Sequence, residues 1–205
     1  MDRQQQSWDD YYKVPKDRQP DEWLKAFEPH FFAQMKVLDL GCGDGSNIDY
    51  LLGITNNIDA CDYSAEAISK VIRDFGIRAV ILDIRDSLPY PDHYFDMVLA
   101  DLSLHYFSES ETREILKELS RILKNKAILL VRINSTNDIN HGYGKGVEIE
   151  KNFFEYDGRR KRFFDRDMIE LQFKAHFSLD VCREAVTGKY KEEKFLWEIL
   201  LVKRA

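Results

Sequence analysis

Residues 36–47, KVLDLGCGDGSN, constrain the fold more than any other stretch of the chain. Val37, Leu38 and Leu40 make a short apolar run of the kind that forms a buried strand, with Asp39 inside it. Gly41, Gly43 and Gly45 alternate through the turn that follows. Ser46 or Asn47 then stands where a helix carrying Ile48, Leu51 and Leu52 would be capped. Glycine admits positive φ and lets a ligand approach the backbone closely. A strand, a glycine turn and a helix in this order make the first βα unit of a doubly wound α/β sheet, where such sheets bind ligands.

The spacing departs from the dinucleotide fingerprint G-x-G-x-x-G, because Ser46 occupies the place of the third glycine. Asp39 and Asp44 flank the turn and would repel a pyrophosphate, even at a helix N-terminus. A ligand with a positive centre and no phosphate suits these charges. S-adenosylmethionine (SAM), with its sulfonium, ammonium, ribose and adenine, is such a ligand. Residues 37–46 resemble the first motif of the class I SAM-dependent methyltransferases, roughly apolar-x-D/E-x-G-x-G-x-G. The resemblance implies an α/β, Rossmann-like fold: a seven-stranded, mostly parallel sheet with helices on both faces and a reversed last strand. It also implies SAM as cofactor, S-adenosylhomocysteine as product, and Asp39, Gly41, Cys42 and Gly43 at the cofactor.

A chain of 205 residues fits one domain. With 44% hydrophobic and 32% charged residues it has the proportions of an ordinary globule. The net charge of −6 and a pI of about 5.5 weigh against a nucleic-acid partner, whose footprint is usually basic. Cys42, Cys61 and Cys182 are widely spaced and no pair has metal-ligand spacing, so reduced thiols, no metal and a cytoplasmic setting are expected. The opening MDRQQQ lacks the apolar core of a signal peptide. No apolar run approaches the roughly 20 residues that cross a bilayer. The expected organisation is a single methyltransferase domain over 1–205, monomeric or homodimeric, with a helical lid at 1–34 and a substrate-cap insertion at 135–165.

Within 7–13, Trp8, Tyr11 and Tyr12 share one helical face, and Pro15 ends the helix. These aromatics either staple the helix to the core or cover the cofactor. In the family that this chain resembles, such a helix closes over SAM, which assigns Tyr12 to the cofactor. A second helix over 20–32 starts at Pro20 and Asp21 and buries Trp23, Leu24, Phe27 and Phe31. Residues 55–62 read as the second strand, ending in Asp62. An acidic residue about 20 positions beyond the glycine turn takes the ribose hydroxyls in nucleotide-binding sheets, and Tyr63 is then placed to pack on adenine. Ser64 caps the next helix and Gly76 closes it. A third strand, 78–82, leads to Asp83. The resemblance assigns Asp83 to the adenine amino group and the Ile84 backbone to the ring.

The loop 87–95 is similar to the family's L-P-F-x-D-x-x-F-D run, and 96–100 reads as the fourth strand. The segment ADLSLHYF at 100–107 is similar to the N-x-x-L-H-x form of small-molecule methyltransferases of the type 11 kind. It differs from the D/N-P-P-Y of enzymes that methylate exocyclic amines of bases or glutamine amides. That assigns Ala100 and Asp101 to the cofactor, with His105 either a general base or a residue packed beneath it. Asp39, Asp62, Asp83 and Asp101 thus form a row of carboxylates at strand ends, which suits a cationic, hydroxyl-rich ligand.

A helix over 108–123 opens with the capping box Ser108 and Glu111. The fifth strand, 127–133, brings Arg132 and Asn134 towards the substrate. Residues 135–146 are polar and glycine-rich, with His141 and Tyr143 as further base candidates. Residues 152–164 read as a hairpin on the Asp157-Gly158 turn. Arg159, Arg160, Lys161, Arg162 and Arg166 are either its solvated face or a lid that recruits an anion, with Arg162 a substrate candidate. The R-F-F before the next helix, 166–175, is loosely similar to the tellurite-resistance methyltransferases. Segments 177–185 and 193–203 pair antiparallel around Thr187-Gly188, and Arg183 beside them is a further substrate candidate. The expected reaction is methyl transfer to a small-molecule acceptor, an anionic one if the basic cluster meets it. The alternatives are a SAM-binding regulatory module without turnover, a nicotinamide-dependent oxidoreductase and a macromolecular methyltransferase.

Overall fold

The strand β1 (Val37–Leu40) is buried at every position because sheet continues on both of its edges. The computed structural model, which describes residues 3–14, 18 and 22–204, pairs β1 parallel with β2 (Ile58–Asp62) on one side and β4 (Phe95–Asp101) on the other. Beyond β2 lies β3 (Arg78–Ile81), and beyond β4 lies β5 (Leu123–Asn134), both parallel to their neighbours. The sheet is completed by β10 (Lys194–Lys203) and β9 (Phe177–Thr187), with β10 antiparallel to both β5 and β9. The order is β3-β2-β1-β4-β5-β10-β9, the seven-stranded sheet with a reversed last strand that the sequence led us to expect. Chain direction across the sheet changes between β1 and β4, which opens a crevice at their carboxyl ends.

Alternation along each strand sends side chains to two faces. Leu38, Leu40, Val98 and Leu129 pack under Ile115 and Leu119 of α4 (Glu109–Ile122) and Ile169 of α5 (Arg166–Phe173). Val37, Met97, Leu99 and Leu130 meet Trp23, Leu24 and Phe27 from a 3₁₀ helix, Glu22–His30, and Leu51 of α2 (Ile48–Leu52). Ile68 and Val71 of α3 (Ala65–Phe75) cover Ala60. Among the described residues no helix is long and apolar enough to cross a membrane.

Several local readings needed revision. The segment read as a second helix is 3₁₀ and contains Pro29, which cannot donate to an α-helical ladder. Pro15, Pro20 and Asp21, the expected breaker and helix start, lie outside the described residues. Asn47 precedes α2 without a capping bond, while the Ser46 hydroxyl donates to Asp44 at 2.8 Å. β5 begins at Leu123, directly after α4, because the polar residues Lys124–Lys126 lie within the strand and hid its start. A three-stranded sheet is built from β6 (Val147–Glu150), β7 (Phe153–Tyr156) and β8 (Arg159–Arg162). Its hairpin turns on Asp157 and Gly158, both with positive φ, 50° and 70°, as a tight two-residue turn demands. The first of these strands escaped sequence reading because its Val-Glu-Ile-Glu is exposed at three of four positions.

Two helix starts formed as the sequence implied. Ser64 accepts from the Ala67 N–H at 3.2 Å. Ser108 accepts from the Glu111 N–H at 3.2 Å while Glu111 accepts from the Ser108 N–H at 2.8 Å. Ser108→Ala removes one half of this box and is expected to cost about 1 kcal/mol. A lower urea midpoint at unchanged m-value would report it, and Ser108→Thr should recover most of the loss.

Candidate cofactor and acceptor cleft

Above the carboxyl ends of β1, β2 and β4 lies a cleft of about 500 Å³. Its floor is the turn after β1. Gly41 has φ 74°, and a Cβ there would stand 2.5 Å from the Ser103 Cβ. Gly43 has φ 55°, and a Cβ there would stand 2.5 Å from the Tyr12 hydroxyl. Both positions therefore need glycine for the backbone and for their neighbours. Tyr12 belongs to α1 (Arg3–Lys13), which crosses the cleft with Trp8 and Tyr11 beside it. Trp8 stacks near Tyr12 at 6.2 Å and meets Tyr106 edge-on at 5.4 Å. The helix is fastened by Asp9, which is buried and accepts from the Ser64 hydroxyl at 2.6 Å. After β4 the chain passes through Leu102 at φ 55°. Such a backbone is uncommon for an apolar side chain, and outliers of this sort gather at functional sites.

The row of carboxylates is less uniform than the sequence suggested. Asp101 is held by Arg132 through two bonds, 2.7 and 2.8 Å, and by Asn47 at 3.0 Å. The guanidinium keeps its pKa below the ordinary carboxylate value despite burial. Asp83 is paired with Arg85 at 2.5 Å. Asp62 accepts from the Gly43 and Ser64 N–H groups, each at 2.9 Å; burial raises its pKa while these amides oppose the rise. Asp39 is fully buried, and neither of its oxygens has a hydrogen-bond partner among the described residues. Burial, with repulsion from Asp101 and Asp62, pushes its pKa well up. Asp39 therefore lies beneath the turn rather than on the cleft wall.

Tyr12, Gly41, Cys42, Gly43, Asp62, Tyr63, Asp83, Ile84, Asp101, His105, Arg132, Asn134 and His141 come together at the cleft. Other candidates do not. Ala100 turns into the core under α4. Tyr143 packs on Phe154 and Phe163 at 5.7 and 5.6 Å. Arg162 is taken up by the Phe107 and Lys151 carbonyls and by Glu150. Arg183 pairs with Glu198 at 2.6 Å and covers Phe27 at 5.3 Å, away from the cleft. Arg132 neutralises Asp101, and Asn134 accepts from Lys194 at 2.7 Å. Paired or packed, these side chains have little left to offer a substrate. His105 is buried, and burial with Lys194 and Lys161 nearby pushes its pKa well down, so the ring stays neutral.

The mouth of the cleft holds residues that sequence reading missed as a group. Arg159 and Lys161 of β8, Lys189 and Tyr190 of the β9–β10 turn, and Lys194 of β10 line it. They are scattered over 35 positions (194 − 159), and only the alternation of Arg159 and Lys161 on one strand hinted at a shared face.

Residues 37–126 match the sequence model of a methyltransferase domain. Over 161 residues the chain is 26% identical to a tRNA N(3)-cytidine methyltransferase, METTL2, of Xenopus tropicalis. That alignment takes in 71% of this chain and 47% of the relative, so the chain spans about half the length of the curated relatives it matches. The fold is shared with a SAM-dependent methyltransferase of Methanosarcina mazei, at TM-score 0.75 and 18% identity over 87% of this chain and 97% of that one. It is also shared with a Burkholderia thailandensis 1,6-didemethyltoxoflavin-N1-methyltransferase with bound S-adenosylhomocysteine, at TM-score 0.69 and 18% identity over 89% and 75%. Residues 37–126 are thus similar to a methyltransferase domain, and the fold is the one seen in SAM-dependent methyltransferases. The residues present fit SAM: Gly41 and Gly43 leave the floor bare of side chains, Asp62 lines it, and beneath it Asp39 has no hydrogen-bond partner among the described residues.

The tRNA-methylating relatives overturn the expectation that a nucleic acid is not the partner. Net charge misled because it averages the whole chain, whereas the cations gather at the mouth.

Two outcomes test the floor. Gly41→Ala should weaken S-adenosylhomocysteine binding by tenfold or more in calorimetry, because Ser103 must move. Asp39→Asn should stabilise the ligand-free protein. The folded pKa of Asp39 lies above the ordinary 3.8, so its charging opposes folding only as pH climbs past that value. The gain in urea stability should be absent near pH 3 and widen towards neutrality; a gain independent of pH would contradict the assignment.

Proposed function

We propose that this chain transfers the methyl group of SAM to an acceptor that carries negative charge. The carrying observation is the mouth: among the described residues Arg159, Lys161 and Lys189 line it without a carboxylate partner, and Lys194 alone is paired, with Asp138 at 2.7 Å. Burial, Lys194 and Arg159 lower the pKa of Lys161, a strain that an anion would relieve.

In this reading Asp62 takes the ribose hydroxyls and Tyr63, Asp83 and Ile84 surround the adenine. The Gly41–Gly43 turn and Tyr12 face the methionine part. SAM, when bound, supplies an electrophilic methyl on a sulfonium whose charge disperses as the S–C bond breaks. The chain's own work is to hold the acceptor atom in line, an effect worth up to about 7–11 kcal/mol, and to exclude water with Trp8, Tyr12 and Tyr106.

RNA is the acceptor class favoured by the tRNA substrates named for the relatives. Its phosphates suit the cations, and its bases suit the Trp8, Tyr106 and Tyr190 rings. A small anion is the second reading, supported by the contact of cap and lid over the cleft: Arg159 donates to Ser7 at 3.4 Å and lies 5.5 Å over Trp8.

Methyl-labelled SAM offered with total tRNA and with a panel of small carboxylates and phosphates separates these. Labelled RNA whose yield falls steeply with salt is the expected result. Joint Lys161→Ala and Lys189→Ala replacement should then raise KM about tenfold with kcat within about threefold. A labelled small acid alone would select the second reading. Cofactor binding with no transfer to any acceptor would overturn catalysis and leave a regulatory SAM-binding module.

A further inference from the structure

We infer that Asp138 and His141, on the loop after β5, form a proton-abstracting pair in which the His141 Nε2 is the general base. The inference rests on the methyltransferase reading above and specifies the kind of atom that is methylated.

Asp138 is fully buried. Its Oδ1 lies 2.9 Å from the His141 Nδ1 and accepts from the Phe195 N–H at 3.2 Å. Its Oδ2 accepts from the Lys194 ammonium at 2.7 Å, which also donates to Asn134 at 2.7 Å. A carboxylate beside an ammonium only accepts, so the His141 Nδ1 must carry the hydrogen. In the neutral ring the lone pair is then on Nε2. His141 lines the cleft and rests against Tyr190 at 5.4 Å.

The groups around this ring define its part in the reaction. Asp138 comes from its own loop, Tyr190 and the Asp138-bound Lys194 from the β9–β10 side, and Lys161 of β8 lines the same cleft. Lys194 already balances the Asp138 charge. Asp138 is therefore a positioning residue that sets tautomer and orientation, rather than an anion that holds an imidazolium. A proton taken up at Nε2 passes to solvent through the open mouth.

His105 and Tyr143, the other base candidates, are unsuited. His105 touches the cleft but is buried, and burial with Lys194 and Lys161 nearby leaves its ring a weak base; Tyr143 is packed against Phe154 and Phe163.

In the step itself, the accepting atom's bond to hydrogen breaks as its electron pair forms the bond to methyl carbon. The proton goes to Nε2, and the methylated acceptor and S-adenosylhomocysteine leave without it. The accepting atom is consequently an N–H or O–H group: an exocyclic amine, a ring imide or a hydroxyl. A ring nitrogen that already presents a lone pair, as N3 of cytidine does, loses no proton and needs no base.

The test uses the full chain. Nitrogen-15 NMR of the imidazoles should show His141 as the Nδ1–H tautomer, and diethyl pyrocarbonate should modify it at Nε2, both measured without any acceptor. An Nε2–H tautomer would overturn the assignment. On whichever acceptor is labelled above, kcat/KM of the wild type should fall on the acid side. His141→Gln should lose that limb, with kcat lower by about 10²–10⁴-fold and S-adenosylhomocysteine affinity within twofold. Asp138→Asn should shift the tautomer population and lower kcat less. His141→Gln activity within twofold of wild type, or a wild-type profile without an acid limb, would sink the proposal. Failure of the wild type to bind S-adenosylhomocysteine would instead sink the underlying cofactor reading, leaving the NMR result to stand by itself.

Discussion

The left-handed backbone at Gly41 and Gly43 is the constraint on which the rest of this structure depends. With φ at 74° and 55°, the chain leaves β1 in a turn tight enough for Ser103 to press on one glycine and the Tyr12 hydroxyl on the other. The ends of β1 and β4 and the helix α1 thereby meet at one place. Asp62 joins them through the Gly43 N–H at 2.9 Å. A side chain at either glycine would separate these elements, and the cleft would lose its floor and its cover together.

Around that turn the charges are sorted by depth. The floor holds Asp39, which has no hydrogen-bond partner among the described residues, and Asp62, which accepts from the Gly43 and Ser64 amides. Asp101 and Asp83 sit at the same level but are matched by Arg132 and Arg85, which limits the repulsion that a row of buried carboxylates would otherwise accumulate. The mouth carries the opposite sign. In the proposed reading one surface would serve a cationic cofactor and an anionic acceptor without either field cancelling the other, since interactions weaken with distance and screening.

Much of the fold could be read before any coordinates. The parallel order and the reversed last strand followed from the family resemblance, whereas the capped starts of α3 and α4 rest on local chemistry: apolar period, a serine at the cap, a glycine at the end. The hairpin turn was equally plain, because Asp157-Gly158 can take positive φ where most pairs cannot. What escaped was either polar and exposed, like β6, or concealed by lysine and asparagine within a strand, like the start of β5. At the cleft, motif spacing pointed to Asp62, Tyr63 and the glycines, and the family resemblance to Tyr12. Arg162, Arg183 and Tyr143 were misjudged because a residue's type reveals its chemistry but not whether a neighbour has already satisfied it.

The sequence by itself determined the architecture and the class of cofactor, because a glycine turn flanked by carboxylates is a local feature that any surrounding fold must respect. Only the tertiary structure decided which charges remain available. Arg132 lies 31 positions from Asp101, and Lys194 lies 56 from Asp138. The same long-range packing brings Arg159 and Lys161 of β8 and Lys189 of the β9–β10 turn to one mouth, and sets His141 on a buried carboxylate while burying His105. Pairing and desolvation act through space, so they are settled by which strands lie beside each other rather than by order along the chain.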